Sequence, residues 1–262
     1  MQFKIFSIII DQMNLENFCL NHVLKTKTYA MQVIFEGIKK AIELIISFDR
    51  EIIEISWRSL WISGLACFIS SVFCIPIGFL LHFYKIPAKG LFLNIIQTLY
   101  ALPTVLVGLF LYLLLSKEGP LGEFNLLFTP WAMVIGQAII VSPIILGLTI
   151  STLSNFGKEV YETALALGAS EFQALLQVLR EIKFSLVSSL LLGFGRAISE
   201  VGCAIMVGGN IRGYTRVLTT AISLETGKGN LEISIALGII LLGIALLVNM
   251  FLNFFQGKGT WR

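Results

Sequence analysis

Four long segments of the chain, residues 59–84, 90–116, 124–157 and 233–257, contain no Asp, Glu, Lys or Arg. The hydrocarbon core of a bilayer is about 30 Å thick, and about 20 apolar residues in helical form cross it. Each segment is therefore long enough to span. The apolar residues are continuous and do not alternate with polar ones, as the strands of a membrane β-barrel would. Because backbone groups in lipid must pair internally, the pattern predicts spanning α-helices.

A further apolar segment, at residues 184–207, adds one span, and the pattern as a whole predicts an all-α, polytopic membrane protein. About five spanning helices are expected, at residues 57–81, 91–115, 130–153, 184–207 and 233–255. The first three of these contain Pro76, Pro103 and Pro143. Membrane helices tolerate an internal proline because neighbouring groups satisfy the freed carbonyl, so we expect kinks at these positions.

An amphipathic segment precedes the first span. Its apolar face consists of Phe35, Ile38, Ile42, Ile45 and Ile46, and its polar face of Glu36, Lys39, Lys40 and Glu43. Such a helix is too polar to span and is expected to lie in the membrane interface, in contact with lipid.

The chain therefore divides into four parts. Residues 31–56 form the interfacial helix and a linker, and residues 57–256 form the transmembrane domain. Residues 257–262 are a short tail. Residues 1–30 match no targeting segment, and Met31 begins a segment that resembles a natural start. We expect residues 1–30 to be a flexible extension or the result of a misassigned start.

A polar segment at residues 158–183 separates the third and fourth predicted spans. Residues 161–167 and 170–179 are both compatible with helix, and Gly168-Ala169 between them predicts a corner. The apolar residues of these helices, which need a partner if they are not to face water, are Ala164, Leu167, Phe172, Leu175 and Leu176. The alternative is a plain surface loop of two short helices.

Composition supports a membrane protein and argues against nucleic-acid binding and against a metal site. Apolar residues make up 56% of the chain and charged residues 13%, whereas soluble domains carry about a quarter charged residues. A formal charge of +3 with no basic block gives no indication of nucleic-acid binding. The four cysteines form no C-x-x-C pair and the two histidines are isolated, so we predict no metal and no cofactor.

The polar segment also carries a recognisable motif. Glu162-Thr163-Ala164, followed by Gly168, resembles the EAA loop of ABC importer permeases, with Thr163 where alanine is usual. Residues 193–223 resemble the corresponding region of molybdate and tungstate permeases. Residues 212–222 are closer to the tungstate type, as are residues 119–122, 127–130 and 224–230.

This resemblance implies a fold and a set of partners. The fold would be that of a type I ABC importer permease, a homodimer in the inner membrane of a prokaryote. Two ATP-binding cassette subunits would hydrolyse ATP on the cytoplasmic side, because this chain has no G-x-x-x-x-G-K-[ST] motif and is not expected to be an enzyme. An extracytoplasmic oxyanion-binding protein would deliver the substrate, with tungstate expected first, then molybdate, and sulfate also open.

The resemblance assigns the polar segment to the cytoplasmic side as the coupling loop. The residues that it implies for contact with the ATPase subunit are Tyr161, Glu162, Ala164, Gly168 and Ala169. The resemblance also places Asn210, Arg212 and Arg216 outside, in an external loop. These arginines are expected to contact an acidic patch on the binding protein or to attract the oxyanion. Lysine and arginine counts on the two sides are nearly equal, so charge alone does not orient the chain.

Apart from Arg58 at the start of the first predicted span, Arg196 and Glu200 are the only charged residues inside a predicted span. They are four residues apart and share a helical face, so they are expected to pair. Intramembrane charge marks a gate or translocation path by default, but a salt bridge that fixes helix packing explains this pair equally well.

Two other classes of protein remain open. A secondary transporter or channel would work without ATP and would need no apolar coupling loop. A membrane enzyme has the least support, because no nucleophile, base and metal-ligand pattern is present.

Overall fold

The computed structural model describes Tyr29 and residues 31–84 and 89–256. The tail at 257–262 and the predicted extension, apart from Tyr29, lie outside these residues.

Ten helices follow one another along the described residues, which contain no strand. Their bounds are α1 (31–46), α2 (Arg50–Phe83), α3 (Lys89–Thr98), α4 (Thr104–Leu115), α5 (Pro130–Thr152), α6 (Lys158–Ala166), α7 (Glu171–Ile198), α8 (Gly202–Gly208), α9 (Leu218–Gly227) and α10 (Leu231–Gln256). A 3-10 turn at Leu99–Ala101 follows α3, and a π turn at Leu153–Gly157 joins α5 to α6.

Three continuous helices are long and apolar enough to cross a membrane. They are Arg50–Phe83, Pro130–Ala166 and Leu231–Phe254. Two bent helix pairs, α3 with α4 and α7 with α8, bring the number to five if each pair counts as one span. The prediction of an all-α membrane protein with about five spans is therefore confirmed.

The second and fourth predicted spans are not continuous helices, and this corrects the sequence prediction. The second is bent by 95° between Ala101 and Thr104. Pro103 lacks an N–H and disfavours helical geometry in Leu102, whose ψ is 123°. The fourth is bent by 61° between Ile198 and Gly202. Pro76 and Pro143, by contrast, lie inside helices that continue past them.

The polar segment also differs from the two separate short helices that the sequence predicted. Its first half, α6, continues α5 through the π turn, so one 37-residue helix runs from Pro130 to Ala166. Its second half is the beginning of α7, which runs 28 residues without interruption. The coupling segment is therefore a corner between two long helices.

Helix α5 lies at the centre of the fold, between α2 and α7. Met133 and Val141 on α5 and Ile62 on α2 are fully buried. The Ser70 hydroxyl of α2 donates to the Ala138 carbonyl of α5 over 2.9 Å. On the other side, a Cβ added to Gly193 of α7 would lie 2.8 Å from Val141. Small and hydroxyl-bearing residues thus bring the three helices close together, as is typical of membrane interfaces.

Helix α1 packs against α10 through its small residues. Gly37 approaches so closely that a Cβ there would lie 2.6 Å from the Ile235 side chain, and Val33 and Ala41 are buried on the same side. The predicted apolar face remains exposed, with Phe35 at 73% and Ile46 at 71%. Its contact with the membrane interface stays a prediction.

Candidate functional site

The corner between α6 and α7 is built by local hydrogen bonds around Gly168. Gly168 has a φ of +89°, which side-chain-bearing residues rarely adopt. The N–H of Ala169 donates to the Ala164 carbonyl over 3.0 Å and closes the end of α6. Ser170 then caps α7 in a capping box with Gln173. The predicted coupling residues Ala164, Gly168 and Ala169 are therefore the ones that set the shape of the corner.

The tip of this corner presents apolar side chains that nothing among the described residues covers. Leu167 is 84% exposed and Phe172 is 70% exposed. Leu176 is also exposed, whereas Ala164 and Leu175 are half-buried. On the opposite side of α7, Ala174 and Val178 are fully buried. The tip thus has one face that packs against the rest of the protein and one apolar face that is exposed.

Tyr161 connects the corner to the transmembrane helices. Its ring lies 4.8 Å from the ring of Phe83, at the end of α2. It also packs against a buried cluster that includes Leu153, Val178 and Ile182. A displacement of α6 would therefore be transmitted to both α2 and α7.

Glu162 lies on the exposed surface of α6. It pairs with Lys158 one turn earlier over 3.7 Å, and both side chains are exposed. Because α6 continues α5, Glu162 lies in mid-helix and no free helix N-terminus is near it. A carboxylate at this position is free to meet a basic residue of a partner.

The bends in the two broken spans lie side by side. A Cβ added to Gly202, at the start of α8, would lie 2.8 Å from the Val105 side chain and 3.3 Å from the Thr104 hydroxyl, at the start of α4. One turn further along, a Cβ on Gly108 would lie 2.9 Å from the Cα of Cys203. Glycine at positions 202 and 108 thus allows α4 and α8 to pack backbone to backbone beside the bends.

Arg196 and Glu200 meet at this point, as the sequence predicted. Arg196 Nη1 donates to Glu200 Oε2 over 2.8 Å, with Glu200 2% exposed and the arginine side chain 34% exposed. Glu200 Oε1 also accepts the backbone N–H of Cys203 over 3.0 Å, and its carbonyl accepts the Thr219 hydroxyl over 2.8 Å. Glu200 therefore lies in the break itself and satisfies a donor of α8 that has no partner within its helix.

The external loop is fixed to the start of α2 by arginines. Arg212 donates to Glu51 through two nitrogens, and Arg216 Nη1 donates to the same carboxylate over 3.2 Å. From α2, Arg58 donates to the carbonyls of Arg216 and Gly213 over 2.8 and 2.9 Å. Sequence reasoning missed Glu51 and Arg58 as loop partners. The two residues are seven apart, on one helical face just before the apolar run, and this pattern could have indicated that they bind a loop.

Asn210 has a positional role in this loop. It follows Gly209 at the end of α8, and both have positive φ, 50° for Asn210 and 70° for Gly209. Its amide nitrogen donates to the Thr220 carbonyl of α9 over 3.3 Å. Asn210 therefore joins the end of α8 to α9.

The motif at residues 224–230 forms a turn at the end of α9. Glu225 accepts hydrogen bonds of 2.7 Å from Lys228 Nζ and from Asn230 Nδ2. These bonds, first that from Asn230, lower the pKa of the Glu225 carboxyl. Gly229 supplies the positive φ, 83°, that reverses the chain before α10.

Comparison with known proteins identifies the family from the sequence. The family described as "Binding-protein-dependent transport system inner membrane component" matches residues 74–258. The tungstate uptake system permease protein TupB of Peptoclostridium acidaminophilum is 41% identical over 219 residues, which cover 84% of this chain and 96% of that protein. TupB of Campylobacter jejuni is 38% identical over 227 residues, which cover 87% and 95%.

A more distant relative belongs to a sulfate system, and one solved structure shares the fold. The sulfate transport system permease protein CysT of Salmonella typhimurium is 26% identical, over 78% of this chain and 83% of that protein. A bacterial ABC transporter involved in the import of the acidic polysaccharide alginate has the same fold. Its TM-score is 0.61 at 20% identity, and the match covers 79% of each chain.

Proposed function

The chain belongs to the family of binding-protein-dependent transport system inner membrane components, and on that premise we propose that it is the permease for tungstate in an ABC importer. The single observation that carries the substrate is the identity of 41% and 38% to two tungstate uptake permeases, over at least 95% of each relative. The sulfate relative is much less similar, at 26%. Tungstate is therefore favoured over sulfate, with molybdate as the next tetrahedral dianion of the same shape.

The chain is a permease subunit and not the ATPase. A permease of this family works with an ATP-binding subunit and a substrate-binding protein. We propose the finer arrangement from the sequence resemblance: two copies of this chain in the inner membrane, two ATP-binding subunits below them and an oxyanion-binding protein above. The apolar face of α1 would lie in the membrane interface on the outer side of that same inner membrane.

The corner at Gly168 is proposed as the contact with the ATP-binding subunit. Three observations support it: Leu167 and Phe172 are exposed, Gly168 fixes the corner, and Tyr161 connects it to α2 and α7. A rigid element lodged in a groove of the ATPase would move as the groove closes. Movement of the corner would then shift α5 and α7 together, since α5 continues into α6 as one helix and α7 is unbroken as far as Ile198.

The neighbouring bends are proposed as the gate of the anion path. Glu200 contributes by holding the start of α8 and the Thr219 hydroxyl, and its charge is neutralised by Arg196. A bare carboxylate would repel a dianion, whereas the paired one does not. The external arginines are proposed to hold the mouth of the path in shape, with Arg212, the more exposed, available to an acidic surface on the binding protein.

Reconstitution tests the proposal directly. The chain would be assembled in proteoliposomes with its ATP-binding subunit and the binding protein. We expect ATP-dependent uptake of tungstate, with molybdate competing at higher concentration and sulfate competing weakly. Uptake of sulfate in preference to tungstate, or anion uptake that needs neither ATP nor the binding protein, would contradict it.

A further inference from the structure

Gln137 is a side-chain amide buried inside a membrane span. It lies on α5, within the span Pro130–Ala166, and is 3% exposed. Its Oε1 accepts no hydrogen bond from any residue that the structure describes. Apart from Gln137 and Glu200, the buried polar side chains among the described residues are hydroxyls. An amide that is buried without a partner is costly, so a position that keeps one is a candidate for function.

The neighbours of Gln137 on α5 contact both halves of the broken fourth span. Met133, one turn earlier, lies 2.7 Å from the point that a Cβ on Gly208 of α8 would occupy. Val141, one turn later, lies 2.8 Å from the corresponding point on Gly193 of α7. Residues four apart share a helical face, so Gln137 faces the fourth span between these two contacts.

The part of the fourth span that Gln137 faces contains the 61° bend. The preceding residue supports this placement, because a Cβ on Gly136 would lie 2.5 Å from Cys203 Sγ, one residue past the start of α8. Glu200 lies in the same bend, where it binds Arg196 and the N–H of Cys203. The buried amide and the buried carboxylate of the protein are therefore both beside one bend.

The bend also contains a backbone donor without a partner. In an unbroken helix the N–H of Val201 would donate to the Ala197 carbonyl, which here accepts the N–H of Glu200 over 3.1 Å. Among the described residues no group accepts the Val201 N–H. Gln137 Oε1 is thus an acceptor without a donor, and the Val201 N–H is a donor without an acceptor, at one contact between helices.

We propose that Gln137 is a positioning residue of the gate, and that its amide pairs with the backbone of the bend, at Val201, in the other conformation of the transport cycle. This inference rests on the proposed function, which places the gate at this bend. A hydrogen bond that forms in only one of two conformations shifts the equilibrium toward that conformation. The unpaired amide disfavours the conformation described above and favours the one in which the bend has moved against α5. Gln137 acts through the bend and does not touch the anion.

Stability and transport should respond in opposite orders to substitution of Gln137. Gln137→Met keeps the length of the side chain and removes the amide, so thermal unfolding in detergent should occur at the same or a higher temperature. The same variant should lower the maximal rate of ATP-dependent anion uptake by about five- to tenfold, the effect of one hydrogen bond. Gln137→Asn keeps the amide on a shorter side chain, so it should be less stable than Gln137→Met and yet transport faster.

The half-saturating anion concentration separates gating from binding. It should stay at the wild-type value in both variants, because Gln137 does not touch the anion. Thr149→Val is the matched control, since it removes a fully buried hydroxyl elsewhere on α5 that donates to the Ile145 carbonyl over 2.7 Å. The control should leave the maximal rate unchanged. A joint fall of stability and uptake in Gln137→Met would make the amide purely structural and overturn the proposal, as would a change confined to the half-saturating concentration.

A thiol probe in the bend tests the movement itself. Ser199→Cys, at an exposed position in the bend, would be introduced into a background without the native cysteines. Its rate of labelling would be measured in the complete assembly with and without a non-hydrolysable ATP analogue. We expect the analogue to change the rate, and Gln137→Met to reduce that change. The same change in the presence of Gln137→Met would overturn the proposal.

The two hypotheses fail in different ways. Uptake by the wild-type assembly tests whether this chain carries tungstate. The ratio of variant to wild-type uptake, for whichever oxyanion the wild type carries, tests Gln137, and the labelling experiment needs no transported anion. A ratio near one for Gln137→Met would overturn the role of the amide and leave the substrate proposal intact.

Discussion

The hydroxyl of Tyr100 lies directly against the backbone of Gly147, where any side chain would overlap it. Tyr100 belongs to the 3-10 turn between α3 and α4, and Gly147 is on the central helix α5. This contact holds the bend of the second span against the core. Because Gly147 has no side chain, Tyr100 can pack against α5 and hold the bend between α3 and α4 in position.

Gly147→Ala should displace Tyr100 and loosen the bend. Because overlap with a ring cannot be relieved without moving backbone or side chain, we expect a loss of about 1–3 kcal/mol of stability. Thermal unfolding in detergent measures it. Gly243→Ala on α10, where an added Cβ meets nothing within 4 Å, is the control and should be neutral or stabilising. Equal effects of the two substitutions would contradict the contact.

Gly168→Val should uncouple the permease from the ATPase. The position has open space around it, so the cost comes from placing a β-branched residue at a φ of +89° and amounts to about 1–3 kcal/mol. We expect normal membrane insertion but loss of ATPase association or of stimulated hydrolysis. Gly229→Val imposes the same kind of strain on the outer turn, at a φ of +83° and also in open space. Gly229→Val should keep stimulated hydrolysis. The coupling assignment is wrong if Gly168→Val hydrolyses ATP like the wild type, or if both variants lose hydrolysis equally.

Arg196 and Glu200 should behave as a coupled pair. Arg196→Leu leaves a buried carboxylate without its partner, and a loss of about 3–5 kcal/mol is typical of such a change. Removing both groups together should be milder than the sum of the single changes. Lys158 and Glu162, an exposed pair of the same spacing, provide the control, for which a coupling of about 0.3–0.5 kcal/mol is expected. A double variant that is stable but carries no anion would assign the pair to the path instead.

Arg216→Ala should destabilise the external loop more than Arg212→Ala does. Both guanidinium groups bind Glu51, but the Arg216 side chain is 18% exposed and that of Arg212 is 74% exposed. Exposed ion pairs contribute little to stability and are screened by salt, whereas buried ones are screened less. Thermal unfolding at low and high salt measures both variants. A larger or more salt-resistant loss for Arg212→Ala would contradict this order.

The orientation of the chain can be checked by cysteine labelling. Glu123 lies between α4 and α5 and Glu171 at the start of α7, and both are exposed. In a background without native cysteines, Glu123→Cys should react with an impermeant reagent from outside, and Glu171→Cys should react from inside only. The reverse pattern would invert the topology and remove the coupling assignment with it.

The sequence by itself determined the class of the protein and the approximate number of its spans. Uncharged runs about 25 residues long can cross a bilayer only as helices, whatever surrounds them. The positive φ at Gly168 and the pairing of Arg196 with Glu200 were also predictable. Each depends on a backbone preference or on a four-residue helical spacing, which are local properties.

Only the tertiary structure decided where the spans break and what the loop arginines bind. Three prolines, Pro76, Pro103 and Pro143, lie in predicted spans, yet only Pro103 lies at a break between helices. The break is close to the contact between Tyr100 and the backbone of Gly147. Glu51 and Arg212 are separated by 161 positions, and no local pattern relates them. Side chains far apart along the chain meet through packing, so these contacts depend on how the helices pack against one another and not on any single helix.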